Sequence, residues 1–400
     1  MTMQKTQKTT ILVGASAASI ACANKLRDLC PDMRLICITA ENALPYNRCL
    51  LADYLGGSKN AEQITIRTAD FFTEKNIEFY PNTRVTSLNL EEKTATTNQN
   101  KTIAYDNLFL GIGKSAYIPE PSWLTISGVL PFYDQEHATT LRTYIADHAP
   151  QKAIVIGAGL TGLEAADALT QHGIEVTILE RAEQILPRQI DAAGADFFTN
   201  LMHSKAQVNV VTNALIAEMR STTPKTITIT LTNNASYTTN LVVLATGGKS
   251  NSFLAEKAGI ACNNFGIITN ENMRTSDPHV FAGGDACSIK NILTNEQVTN
   301  SLWADAVMQG NVAAHSIAGI EKTYPGALLI TSSTIFGTTF VTSGDITNAD
   351  TYESRYKKDA TSYHRILLQE NILKGFVMVG NIVGIGQLRR ALMEQKPIQL

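Results

Sequence analysis

The first residue able to do chemistry is Cys49. It follows Arg48 in NALPYNRCLLADYLGG (Asn42–Gly57), where Pro45 sets an extended entry and Gly56 and Gly57 stop a short helix. A thiol at a helix start beside an arginine ionises more readily and becomes a better nucleophile. The plainer reading is a small apolar side chain filling a packed spot. The other five cysteines (Cys22, Cys30, Cys37, Cys262, Cys287) are scattered without a CxxC pair, which suits a reduced compartment better than a disulfide framework. The seven histidines are equally dispersed, so no metal site is expected.

The second chemical pattern is made of glycines. Gly157, Gly159 and Gly162 stand at GxGxxG spacing between the β-branched run Ala153–Ile156 and a helical stretch that Gly173 stops. A further apolar strand, Val176–Leu179, ends in Glu180, 23 residues past Gly157. Gly157 permits a tight strand-to-helix turn, Gly159 lets backbone approach a pyrophosphate, and Gly162 lets the helix pack closely on the strand. The helix start then offers unpaired N–H groups and a positive dipole end to the phosphates. A carboxylate at position 180 can accept from a ribose 2′-hydroxyl and repels a 2′-phosphate, although Arg181 beside it weakens that preference.

Residues 10–41 repeat this plan. TTILV forms a strand, Gly14 starts the turn, Ala17–Leu29 is helical, and the strand Arg34–Ala40 ends at Glu41, 27 residues past Gly14. The loop reads GASAAS, with Ser16 and Ser19 in the second and third glycine positions. Ser16 still lets a phosphate approach. The Cβ of Ser19 is expected to hold its helix slightly further from the strand.

Other elements must position these loops. Residues 64–110 read as short strands and one helix, ending in Leu108–Leu110 before Gly111 and Gly113. Residues 114–136 read as a crossover rather than a packed element, because Pro119, Pro121 and Gly128 interrupt them. Helices are expected at His137–Asp147, Asp191–His203 and Trp303–Gly319, the last burying Ala304, Val307, Ala313 and Ile317. Strands fill 208–244, and from about 327 strands lead to a final helix, Gln387–Glu394. Four hundred residues exceed one ordinary core. The expected fold is α/β, with two Rossmann-like dinucleotide-binding domains and a small carboxy-terminal α+β domain. The boundaries fall at 1–120 with 245–326, at 121–244, and at 327–400.

A net charge of −3 argues against a polyanion-binding surface. Lys5, Lys8 and the uncharged Ile11–Ala23 look like a signal peptide, but cleavage at Ala23 would remove a nucleotide-binding turn. Uncharged Tyr324–Gly344 is rich in Thr and Ser, which suits a sheet better than hydrocarbon. The expectation is a cytoplasmic protein, monomer or homodimer, with no membrane or nucleic-acid partner.

Two dinucleotide units, glycine-ended strands at 111–113 and 245–247, and FAGGDA at 281–286 together resemble the pyridine nucleotide–disulfide oxidoreductase superfamily of flavoprotein reductases. LPYNR with the following LLADYL, and LERAEQILPRQID after the second unit, are most similar to NADH:rubredoxin oxidoreductases and the FAD part of assimilatory nitrite reductases. The resemblance covers essentially the whole chain. It implies FAD on the first unit, with pyrophosphate at Gly14, Ser16 and Ala17 and adenosine ribose at Glu41. It also implies that Arg48 reaches the FAD, Val85 meets the adenine by backbone, Gly113 lines the cofactor and Asp285 hydrogen-bonds a ribityl hydroxyl.

On the second unit it implies NADH, with NADPH less favoured, at Gly157, Gly159, Leu160, Thr161 and Glu180. Gly247 falls near the nicotinamide, and Glu164 close to the stacked flavin and nicotinamide. The implied activity is hydride transfer from NADH to flavin, then electron transfer to a small rubredoxin- or ferredoxin-like protein. The paired redox cysteines of some members are absent. Cys49 lines up with the single-cysteine branch, which implies the alternative of a disulfide reductase, or a peroxidase or oxidase, acting through that thiol on a small thiol or disulfide substrate. The histidine of that branch falls on Ala17. Because Ile112 and the two loop serines depart from the usual pattern, a non-enzymatic NADH-binding module is a further alternative.

Overall fold

The computed structural model describes residues 7–206, 208–223, 226–299, 301–346 and 349–397. The chain forms two compact units, one of Met1–Cys49, Ala61–Ser115 and Lys249–Ala327, the other of Leu50–Asn60, Ala116–Gly248 and Leu328–Leu400.

The first unit is built on a parallel sheet with strand order Val280–Ala282, Asn107–Leu110, Thr9–Val13, Arg34–Ile38, Ile77–Tyr80. Its strands read as nearly continuous apolar runs because both faces are covered, as parallel sheets require. Ile11, Leu12, Cys37, Ile38, Leu108, Phe109 and Leu110 are all fully buried. The uncharged stretch Ile11–Ala23 therefore supplies a central strand and the start of the helix Ala17–Leu29. That helix packs tightly on the helix Trp303–Ile317: a Cβ on Gly310 would lie 2.1 Å from the Ala18 carbonyl oxygen. The buried face of the second helix is Ala306, Gln309, Gly310 and Val312–Ala314. It is thus turned from the expected one; Ala304 is exposed, and Val307 and Ile317 are half-buried. Small residues win that face because helix backbones approach closely there, which apolar periodicity alone does not reveal.

The second unit repeats the plan, with strand order Asn209–Val211, Glu175–Leu179, Lys152–Ile156, Val242–Leu244, Val129–Pro131, all parallel. Val129–Pro131 lies inside the stretch read as a mere crossover; it is an edge strand, a position that tolerates the proline. Helices span Gln135–His148, Leu160–Thr170 and Ala192–Ala206. The carboxy-terminal segment forms its own antiparallel sheet, ordered Ile330–Ile335, Thr338–Gly344, Ile372–Val379, Tyr363–Gln369, Glu353–Lys358, with the helix Ile385–Glu394. It groups with the second unit because its aromatics meet the helix Ala192–Ala206: Phe340 lies 5.8 Å from Phe198, and Tyr363 lies 6.3 Å from Phe197. The short helix Leu51–Leu55 also belongs here, its Tyr54 carbonyl accepting from Arg142 at 2.9 Å and its Leu55 carbonyl from His172 at 2.8 Å. No helix among the described residues is long and apolar enough to cross a membrane.

Candidate functional site

Both glycine loops form as strand-to-helix turns. Gly14 has φ +97° and Gly157 φ +104°, and a Cβ on either would strike the end of the adjoining strand, at 2.2 Å from Gly111 O and 2.5 Å from Ala245 O respectively. Only glycine fits both the backbone and the space.

The third positions differ. A Cβ on Gly162 would sit 1.9 Å from Gly157 O, with the Ala245 methyl 3.5 Å away. In the first unit the corresponding helix residue is Ser19, fully buried, and it is the strand end that lacks a side chain: a Cβ on Gly111 would meet Ser19 Oγ at 2.1 Å. One side chain fills the space between helix and strand end in each unit, from opposite sides. The displaced helix expected from Ser19 is unnecessary because Gly111 makes the room. The serine hydroxyl has no hydrogen-bond partner among the described residues.

Both helix starts are open to an anion. Ser16 and Gly159 cap the helices Ala17–Leu29 and Leu160–Thr170 without a side-chain hydrogen bond, so neither cap satisfies the first-turn N–H groups. A Cβ on Gly159 would meet nothing within 4 Å, so the loop presents bare backbone to open space. Leu160 and Thr161 in that first turn are half-buried, whereas Ala17 is buried.

The two terminal acids are more engaged than their position in sequence implies. Glu180 is 7% exposed; it accepts the Ala158 N–H at 2.6 Å and the Ala182 N–H at 2.8 Å, fastening the glycine loop to the strand end. Glu41 accepts from the Tyr46 hydroxyl at 2.9 Å and from Arg48 at 2.5 Å, and the guanidinium lies 5.4 Å from the Tyr46 ring centroid. Ala15, Ser16, Thr39, Glu41 and Ala43–Tyr46 enclose a small cavity beside the first loop. Every carboxylate oxygen keeps a second lone pair, so a ribose hydroxyl still has an acceptor at either acid.

Asp285 lies in the turn Gly284–Ala286 after the edge strand Val280–Ala282. Burial raises its pKa, while Lys114, Arg48 and a hydrogen bond with Ser301 oppose that shift. Gly113 has φ +56° and open space around it, and the backbone of its turn is held by Asn251, which donates to Ile112 O at 2.8 Å and Gly113 O at 3.1 Å. Gly247, at φ +97°, accepts from Tyr117 N at 2.9 Å. Val85 is buried and paired with Thr97 at the start of a small antiparallel sheet. Glu164, on the helix Leu160–Thr170, accepts from Ser333 Oγ at 3.0 Å, and its pKa is raised to about 7, chiefly by burial.

Cys49 is exposed and lies in a 3₁₀ turn, Arg48–Leu50, ahead of a helix only five residues long. The helix start expected at Cys49 is thus a 3₁₀ turn. The charge of Arg48 is shared with Glu41. Asn251, Gln309 and Ser333 carry no local sequence signal, since each meets its partner only through the fold, whereas Tyr46 lies five residues from Glu41 within the LPYNR motif.

Two parallel sheets, each with a tight glycine turn into a helix that no side chain caps, form a frame of the dinucleotide-binding kind, twice over. The chain belongs to the pyridine nucleotide-disulphide oxidoreductase family, whose model matches residues 8–310. It is an FAD-dependent NAD(P)H oxidoreductase, and the open backbone at Gly159, the uncapped helix at Ser16 and the polar turn at Asp285 fit those cofactors. It is 30% identical to an NADH oxidase of Methanocaldococcus jannaschii, over 79% of this chain and 71% of that one. To a rubredoxin-NAD(+) reductase of Pseudomonas putida it is 27% identical, over 79% and 81%. The structure of an NAD-dependent persulfide reductase from A. fulgidus superposes with a TM-score of 0.90 at 25% identity, covering 98% and 79%. The chain spans only 46% of the length of a Bacillus subtilis nitrite reductase to which it is 29% identical.

Proposed function

We propose that this chain passes electrons from NADH to a small iron-carrying redox protein of the rubredoxin or ferredoxin class. The observation that carries this reading is the likeness to a rubredoxin-NAD(+) reductase of Pseudomonas putida, 27% identical over 79% of this chain. Position 17, where the single-cysteine branch has its histidine, holds a buried alanine with no proton to give a peroxide.

Bound together, FAD and NADH supply the hydride transfer itself. The chain supplies position and field. Gly14, Ser16 and Ala17 offer backbone to the FAD pyrophosphate, Glu41 with Tyr46 and Arg48 faces the adenosine end, Val85 meets the adenine, Gly113 lines the ring system and Asp285 accepts from the ribityl chain. Gly157, Gly159, Leu160 and Thr161 hold the NADH pyrophosphate, Glu180 its ribose, and Gly247 and Glu164 flank the nicotinamide. A buried carboxylate at 180 disfavours a 2′-phosphate, hence NADH over NADPH. The test is anaerobic reduction by NADH followed by rapid mixing with rubredoxin and ferredoxin. Flavin reoxidation no faster than in buffer would refute the carrier reading.

A second reading sends electrons through Cys49 to a thiol, disulfide or persulfide. It is favoured by exposure: Cys49 is open to solvent, whereas burial pushes the thiols of Cys22, Cys37 and Cys287 far up. Cys49→Ser separates the two. Unchanged turnover with the carrier supports the first; loss of a charge-transfer band together with loss of turnover supports the second.

A further inference from the structure

The helix that starts at the NADH loop carries two carboxylates one turn apart, Glu164 and Asp167, and both reach the carboxy-terminal hairpin. Ser333 Oγ, on the strand Ile330–Ile335, donates to Glu164 Oε1 at 3.0 Å, and Phe336 N, in the tight turn, donates to Asp167 Oδ2 at 2.8 Å. That turn has φ +50° at Phe336 and +63° at Gly337, a primed hairpin turn that sets the register of Ser333 opposite Phe340. Ser333 therefore stands on a rigid element. The charged groups facing Glu164 are Asp53, from the helix Leu51–Leu55, and Asp167, from its own helix, both acids. Neither neutralises it, and Ser333 is the donor that the fold brings to its oxygen.

We propose that Ser333 is a positioning residue for Glu164: its hydroxyl fixes the carboxyl beside the dinucleotide loop and favours the ionised form there. This rests on the reading above that Glu164 flanks the nicotinamide. A hydrogen bond to the charged form favours that form, whereas burial and the two neighbouring acids favour the neutral one. With those opposing influences Glu164 titrates close to neutrality, at about 7, so loss of one donor changes the protonation of the site under ordinary conditions. Asp167, whose pKa is also raised by burial, has its own donor in the Phe336 backbone and does not substitute for Ser333.

The test compares the holoenzymes of wild type, Ser333→Ala, Ser333→Thr and Glu164→Gln. The rate of anaerobic flavin bleaching by NADH is recorded against pH, and the Glu164 carboxyl band is titrated by infrared difference spectroscopy, which needs no turnover. Ser333→Ala is expected to move both midpoints upward by about one pH unit, the size of one hydrogen bond to an ionised acceptor. Ser333→Thr, which keeps the hydroxyl, restores the wild-type midpoint, and Glu164→Gln flattens the rate profile and removes the band. If Glu164→Gln behaves so but Ser333→Ala superimposes on wild type, the role of Ser333 is refuted while that of Glu164 stands. If Glu164→Gln leaves the wild-type rate profile intact, the underlying reading of Glu164 fails, and the proposal with it.

Discussion

Replacing Gly111 with alanine puts a methyl carbon 2.1 Å from Ser19 Oγ, 3.3 Å from Ser19 Cβ and 3.0 Å from Phe109 Cε1. Ser19 and Phe109 are fully buried, so the hydroxyl has nowhere to swing and the strand end must part from the helix Ala17–Leu29. Overpacking by one methyl in such a place costs about 1–3 kcal/mol. Ser19→Gly alone should be nearly neutral. It removes a buried hydroxyl without a partner, a relief of about 1–3 kcal/mol, and places glycine inside a helix, a cost of about 0.5–1 kcal/mol along with lost packing. The double variant rebuilds the first unit with glycine on the helix and alanine on the strand end, as Gly162 and Ala245 already are in the second. It should recover most of the loss, with a coupling of about 1–2 kcal/mol, the remaining Phe109 contact preventing full recovery. Urea unfolding of all four proteins measures the coupling, and the release of flavin fluorescence on dilution reads FAD retention in parallel. Strictly additive losses would refute the argument, because they would mean that Ser19 and Gly111 do not share one space.

Gly159→Ala should leave the melting temperature of the nucleotide-free protein within about a degree, since the added methyl meets nothing within 4 Å, yet weaken NADH binding by roughly tenfold or more; scanning calorimetry checks the first and titration calorimetry the second. Asp285→Asn should stabilise the flavin-free chain while weakening FAD binding. Because burial raises the Asp285 pKa, its contribution to stability is whole below the ordinary carboxylate range and is lost as pH climbs through its raised value. The gain from asparagine should therefore be larger at alkaline pH than below the ordinary carboxylate range when the two are compared by scanning calorimetry. Gln309→Met should keep the packing volume but remove the acceptor that takes Gly284 N–H at 2.6 Å, loosening the turn that presents Asp285. Faster flavin dissociation with unchanged NADH affinity is the expected outcome, measured by stopped-flow fluorescence.

Much of the site was legible before the fold. Gly157, Gly159 and Gly162 with their flanking strands, and the degraded copy at Gly14, announce two nucleotide loops, because each residue answers to a local steric demand. The helix Ala17–Leu29 follows the same logic and ends where its pattern ends. Less legible was anything decided between distant segments. Of the face expected for Trp303–Ile317 only Ala313 is fully buried, because that face is selected by close backbone approach at Gly310, not by large apolar residues. The edge strand Val129–Pro131 was missed because prolines nearby obscured a three-residue element that only its neighbour Val242–Leu244 stabilises.

By itself, then, the sequence determined the two strand–turn–helix units and the glycine turns within them, since turn chemistry and apolar runs act over a few residues. Tertiary structure alone decided how the loops are completed. Ser19 is tolerable only because Gly111 lies across from it, Glu180 and Glu41 are partly committed to the protein, and Glu164 meets a donor 169 residues away. Space and proton affinity at a buried site are properties of whichever atoms the fold brings there, and no local spacing encodes them.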